Sequence, residues 1–199
     1  MMIRNNIKYT SYYSGPLIFK SRLMQDDLVK FIKLCKKDKK LSFNENLAGL
    51  IEHEYKIPER KALEELLAPY LLVFKQAYCN WYDMTFEQIA ISDAWVNFMR
   101  ANESNPIHTH TRCDFSSVFY LSFPDNFEKE IENTVTSGGK PGDISFLINA
   151  QNTPHYINMK TLTPKVGDFL MFPASLPHYV NSFKSKGERI SAAINFNLK

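Results

Sequence analysis

Five histidines occur in this 199-residue chain, and two of them, His108 and His110, flank a single threonine in NPIHTHTRCDFSSVFYL. If the run is a strand, alternation places positions i and i+2 on one face, about 6.6 Å apart at ~3.3 Å per residue. Two imidazoles set side by side in this way can converge on one ion with bonds near ~2 Å. Alone the pair is a weak signal, because an HxH on a surface strand also arises by chance. A third candidate stands downstream in FLMFPASLPHYV, where an apolar strand ends in a proline-flanked turn that presents His178. An early HxH and a late single histidine are a plausible three-ligand set if distant strands face each other across a barrel mouth.

Beyond His178 comes Arg189, in ERISAAINFN. Alternation there places Arg189, Ser191, Ala193 and Asn195 on one face and Ile190, Ala192, Ile194 and Phe196 on the other. A guanidinium with a hydroxyl beside it suits a bidentate carboxylate contact, although an edge-strand arginine paired with a surface acid would read the same way. Two other histidines offer less. His53, in EHEY, lacks the second histidine of an HExxH motif, because Ile57 stands in its place, and reads as an exposed helical residue. His155, after Thr153-Pro154, reads as a loop residue.

These side chains need a scaffold. The second half of the chain holds short apolar or alternating runs, AWVNFMR, SSVFYLSF, ISFLIN, KVGDFLMFP and RISAAINFN, punctuated by turn signals at Gly138–Asp143 and Gly167-Asp168. Many short strands of this kind predict a β-sandwich or jelly roll. The first half is patterned differently. After a short strand at Gly15–Phe19, helices are expected over residues 25–36 (buried face Leu28, Val29, Ile32, Cys35), over 46–55, and from about Pro58 to Trp81. The third carries Leu63, Leu66, Leu67 and Tyr70, with a kink or break at Pro69. The economical reading is one α+β domain over 1–199. Residues 1–92 are mainly helical support packed on one sheet, and 93–199 form the jelly-roll core.

Composition narrows the function classes. The net charge of +3 is too mild for the electrostatic footprint of most nucleic-acid binders, and the Lys36–Lys40 run suits a solvated helix end. With 7 glycines and neither GxGxxG nor GxxxxGK[ST], a phosphate loop is not indicated. The 3 cysteines form no CxxC pair, so a reducing cytoplasm is the expected location. Neither a signal-peptide core nor a membrane-length apolar run is present.

Taken in order, HTHTRCDFSSVFYLSFP, GDFLMFPASLPHYVNSF and ERISAAINFN resemble the Fe(II)/2-oxoglutarate-dependent oxygenases often encoded by bacteriophages, of the prolyl-hydroxylase-like kind. The resemblance extends through AWVNF and, more loosely, LAGLIEHEYKI. It implies a double-stranded β-helix, cupin-like in outline, holding one Fe(II) on His108, His110 and His178. Arg189, helped by Ser191, would take the distal carboxylate of the cosubstrate 2-oxoglutarate, with dioxygen as co-reactant. Tyr120 would hydrogen-bond the cosubstrate and Asn97 would line the pocket, although core packing and an edge-strand amide account for them equally well. The wider superfamily uses two histidines and one carboxylate, whereas here the second position is His110. Asp114 lies ~13 Å further along a straight strand, so the three-histidine set is favoured. The substrate, peptidyl or small-molecule, is left open. Two rival functions fit the same residues: a cupin-type dioxygenase that does not use 2-oxoglutarate, and a non-enzymatic jelly-roll module for phage assembly or host interaction.

Overall fold

The computed structural model describes residues 15–136, 138–149, 155 and 157–199. Two antiparallel sheets make the core. The larger has six strands, β1 (Phe19–Arg22), β2 (Glu54–Lys56), β3 (Ile89–Arg100), β5 (Phe115–Ser122), β8 (Asp168–Pro173) and β10 (Glu188–Leu198), in the order β1-β8-β5-β10-β3-β2. The smaller has four, β4 (Asn105–His108), β6 (Ile144–Leu147), β7 (Met159–Leu162) and β9 (His178–Val180), in the order β4-β9-β6-β7. This is the expected α+β jelly roll.

Strand alternation decides which layer each residue joins. On β10, Ile190, Ala192, Ile194 and Phe196 face outward and meet Phe98, Val96 and Phe119 on the neighbouring strands. Burying that apolar face requires a cover, and two helices supply it. Leu28 and Phe31 of α1 (Gln25–Leu34) and Leu63, Leu67 and Phe74 of α2 (Arg60–Tyr82) share one core cluster with these strand residues. The opposite face of the sheet looks toward the smaller sheet. There Leu170 and Phe172 pack with Ile144, Phe146, Leu176 and Val180 at one end. Polar residues take over toward the other end. A short helix, α3 (Phe127–Asn133), closes one side through Phe127.

The structure corrects the helical half in four places. The first strand is β1 at Phe19–Arg22 rather than Gly15–Phe19, and it pairs with β8. On α1, Leu28 and Phe31 are the buried pair, while Val29 and Ile32 are 43% and 38% exposed, so the apolar stripe is rotated from its expected position. Pro69 neither breaks nor ends α2. It sits on the exposed side, where the carbonyl deprived of its N–H partner can turn to water.

The fourth correction matters most for function. No helix forms over 46–55. A 3-10 turn at Asn44–Asn46 leads into an extended segment and then into β2, which pairs with β3 through Glu54↔Asn97. Asn44 Nδ2 donates to the carbonyls of Ile51 and Glu52, tying the segment into a loop. Ile51 is buried while Leu50 is 70% exposed, a pattern no helical face would produce. His53 is therefore not helical; it lies beside β2 and stacks on Tyr55.

Candidate metal centre and its cavity

His108 closes β4 and is paired with His178, the first residue of β9. His110 lies past the end of β4, with its backbone N–H donating to the Ala174 carbonyl at 2.9 Å. The HxH pair is thus one strand residue and one loop residue rather than two neighbours on a straight strand. One potential ligand atom from each of the three histidines lies within 4.8 Å of the others. His110 Nε2 and His178 Nε2 are 3.3 Å apart, close to the ~3.0–3.4 Å separating adjacent ligands with ~2.1 Å bonds to one ion.

Hydrogen bonds at the far side of two rings fix their tautomers. His178 Nδ1–H donates to the Leu176 carbonyl at 2.9 Å, and His108 Nδ1–H to the Pro106 carbonyl at 2.7 Å. Each leaves its Nε2 lone pair for an ion, the orientation that such outer contacts give metal-binding imidazoles. The rings are also neutral. Burial, followed by the neighbouring imidazoles His178 and His108, holds His110 down to about 3. Burial and then His108 lower His178 to about 4, and burial lowers His108. Trp95 packs on the His110 ring at 5.9 Å between centroids, and Phe172 meets His178 edge-on at 4.6 Å.

Asp114 is not part of this group. Its Oδ2 accepts from the Leu198 backbone N–H at 2.7 Å, and it lines a different surface depression, with Tyr78 and Tyr82. Among the described residues the cluster is all-histidine.

The three imidazoles line a cavity of about 440 Å3 that also reaches Arg189, Ser191 and Asn97, within the ~300–1,000 Å3 typical of ligand pockets. Arg189 is 2% exposed. Its Nη1 makes only a long 3.5 Å contact to the Gly142 carbonyl, and its Nε has no partner. Gly142 can be only glycine here: its φ is +70°, and a Cβ would lie 2.4 Å from the Phe127 ring. Across the sheet, Ser191 stands opposite Asn97 on β3 and Tyr120 on β5. Ser191 Oγ, Asn97 Oδ1 and the Tyr120 hydroxyl are all buried without a hydrogen-bond partner. The Tyr120 ring lies 5.9 Å from the Arg189 guanidinium and stacks on Phe123. Tyr120 thus belongs to the core between the sheets and also presents an unused hydroxyl beside the arginine.

So many orphaned buried polar atoms in one place is abnormal for a finished protein interior, where such groups are nearly always paired. A ligand bearing a carboxylate would satisfy the guanidinium, and an ion would satisfy the imidazole lone pairs. The donor set therefore fits a divalent metal with a small acid beside it.

Four cavity residues with a buried, unpartnered oxygen carry no role in the sequence reading: Asn105, Ser116, Asn195 and Glu54. Asn195 was readable from its place on the Arg189 face of β10. Glu54 was concealed by the mistaken helix.

A two-sheet antiparallel jelly roll with three convergent imidazoles at its cavity defines a class: jelly-roll proteins with a metal-competent centre. The sequence places the chain more closely. Residues 93–195 match the family described as "Putative 2OG-Fe(II) oxygenase", and the chain belongs to that family of iron- and 2-oxoglutarate-dependent oxidoreductases. Solved structures share the fold at low identity. A prolyl-4-hydroxylase from Pseudomonas putida aligns with a TM-score of 0.59 and 16% identity over 92% of both chains. A viral collagen prolyl hydroxylase from Paramecium Bursaria Chlorella virus-1, solved as a 2-oxoglutarate complex, gives 0.54 and 13% over 90% of this chain and 94% of that one. HygX from Streptomyces hygroscopicus, with nickel, 2-oxoglutarate and hygromycin B bound, gives 0.53 and 12% over 92% and 82%. No curated protein sequence matches the chain significantly.

Proposed function

We propose that the protein is a non-haem iron dioxygenase that uses His108, His110 and His178 as its metal ligands and hydroxylates a substrate bound in the same cavity. The observation carrying this reading is the shared cavity, which holds three neutral, convergent imidazoles and a buried arginine without a counter-charge. Bound iron with 2-oxoglutarate supplies the oxidising chemistry, coupling oxidative decarboxylation of the cosubstrate to hydroxylation.

The chain's own residues bind and orient. Arg189, desolvated on all sides, takes the distal carboxylate of 2-oxoglutarate in a charge-assisted contact that water cannot weaken. Ser191 Oγ and the Tyr120 hydroxyl lie on the same face and donate to that carboxylate. Asn97 hydrogen-bonds ligand atoms nearer the β2 edge. Trp95 and Phe172 hold the His110 and His178 rings in place and exclude water behind them. Three neutral imidazoles without a carboxylate would leave a bound ion one charge more positive than a two-histidine, one-acid set would. That excess favours an anionic cosubstrate. Residues 1–199 work as one domain, with the helices serving as cover.

The test is anaerobic addition of Fe(II) and 2-oxoglutarate. The wild type develops a visible charge-transfer band, His178→Ala develops none, and Arg189→Ala requires at least tenfold more 2-oxoglutarate. Unchanged 2-oxoglutarate affinity in Arg189→Ala overturns the arginine assignment. Oxygen consumption without succinate would point instead to a dioxygenase that binds its substrate directly.

A further inference from the structure

Glu54 is 1% exposed, and its side chain borders the cavity. Its Oε2 has no hydrogen-bond partner, and no lysine or arginine among the described residues pairs with it. Register places it directly opposite Asn97, which in turn stands opposite Ser191. One row of inward-facing polar residues therefore crosses the sheet from Glu54 at the β2 edge to the strand that carries Arg189. Glu54 ends the row at the β2 edge, Arg189 lies two residues from Ser191 along β10, and the carboxylate and the guanidinium form no ion pair with each other. Each is a buried ionisable group without a counter-ion, an arrangement that proteins otherwise avoid.

The surroundings of Glu54 leave room for a visitor. A Cβ at Gly49 would come within 3.1 Å of Glu54 Oε1, so the glycine keeps that oxygen uncrowded. Phe43 and Trp95, 5.8 Å apart, form an aromatic wall of the same cavity suited to an alkyl stem. The Lys56 ammonium already lies 4.6 Å from the Phe43 ring centroid, so Trp95 is the ring left to attract a visiting cation. Burial and the nearby Glu103 carboxylate raise Glu54 to about 7. A cationic partner would reverse that effect and hold it ionised.

We propose that Glu54 is the recognition residue for a cationic nitrogen, an ammonium or guanidinium, on the substrate to be oxidised, while Arg189, on the strand at the other end of the polar row, receives the acidic cosubstrate. The word substrate rests on the oxygenase reading above; the cation site itself does not. The pocket then sorts two ligands by charge, and neither end can accept the other's ligand without opposing like charges.

The experiment uses the metal-free protein at pH 8 and low salt. It follows tryptophan fluorescence in a Trp81→Phe background, which serves as the wild type, so that the signal comes from Trp95, which lines the cavity and is 4% exposed. The titrants are pentylammonium and pentan-1-ol, matched in length. In the wild type the ammonium binds at least tenfold tighter than the alcohol. Glu54→Gln, which keeps the shape, brings the two within about twofold, whereas Asp93→Asn, at the exposed rim, keeps the preference. Equal binding of both probes by the wild type, or a preference that survives Glu54→Gln, overturns the proposal. The 2-oxoglutarate band is measured in parallel and persists in Glu54→Gln. If the wild type lacks the band but discriminates the probes, the oxygenase reading fails and the cation site stands. If the band forms without discrimination, the cation site alone fails.

Discussion

Glu54 also sets a pH signature for the empty protein. Its carboxyl rises from an ordinary 4.5 to about 7 on folding, so the native state holds a proton that the unfolded chain releases. Its favourable contribution is complete below pH 4.5 and disappears as pH climbs through 7. Glu103, in the β3–β4 turn, is the charged group acting on it. Asn97, facing it from β3, is neutral, and Gly49 brings no charge. Glu54→Gln removes the titration. At pH 8 the variant is therefore more stable than wild type by up to about 3 kcal/mol, and the advantage shrinks toward zero at pH 5. Urea denaturation of both proteins at pH 5, 6.5 and 8 measures this directly; parallel stability curves would mean that Glu54 is ordinary in the folded state.

At the scale of elements, the cavity depends on a sheet that is apolar on one side and polar on the other, and therefore on the helices covering the apolar side. Phe74 of α2 is the centre of that cover. It is fully buried and packs on Phe19 at 5.6 Å and Phe115 at 5.1 Å between ring centroids. Phe74→Ala leaves a void between α2 and two strands that a helix fixed along its length cannot fill. The expected loss is about 3–5 kcal/mol, read as a lower urea midpoint at unchanged slope. A loss below about 1 kcal/mol would mean that α2 is dispensable as a cover.

The same elements show what the sequence could reveal. β3, β5, β8 and β10 were legible because their alternating or continuous apolar runs report burial directly. α2 was legible because Leu63 and Leu67 recur on one turn. β7 and β9 were not recognised as strands: they have four and three residues, too few to show a period. β4 entered only as a supposition from the HxH spacing, which holds for His108 and not for His110. β2 was misread because Leu47, Leu50 and Ile51 imitate helical spacing, while pairing with β3 decides the outcome, and tertiary contacts override local propensity. The convergence of the three histidines and the place of Arg189 in the same cavity were legible through their order along the chain. Glu54 was not, because its place beside the cavity arises only when β2 joins the sheet edge.

For the molecule as a whole, the cavity is a local cost within a well-packed core. Arg189, Glu54, Asn97, Ser191, Asn195 and Tyr120 each bury at least one polar atom without a partner, and each such group costs about 1–3 kcal/mol. Ligands that satisfy them bind the native state alone, so stability must rise with occupancy. Mn(II) can replace Fe(II) without turnover. With metal and then 2-oxoglutarate each at about 100 times its dissociation constant, each step adds about 2.7 kcal/mol. For a domain of this size that is ~5–10 °C in Tm per step. Calorimetry of three proteins separates the contributions. The wild type shows both steps. Arg189→Ala keeps the metal step and loses most of the 2-oxoglutarate step, because its metal ligands are intact while the carboxylate has no counter-charge. His178→Ala loses both, since the cosubstrate's oxo-acid end has no metal to meet. A wild-type Tm unmoved by either ligand would remove the three-histidine centre from consideration, and a full 2-oxoglutarate step in Arg189→Ala would separate the arginine from the cosubstrate.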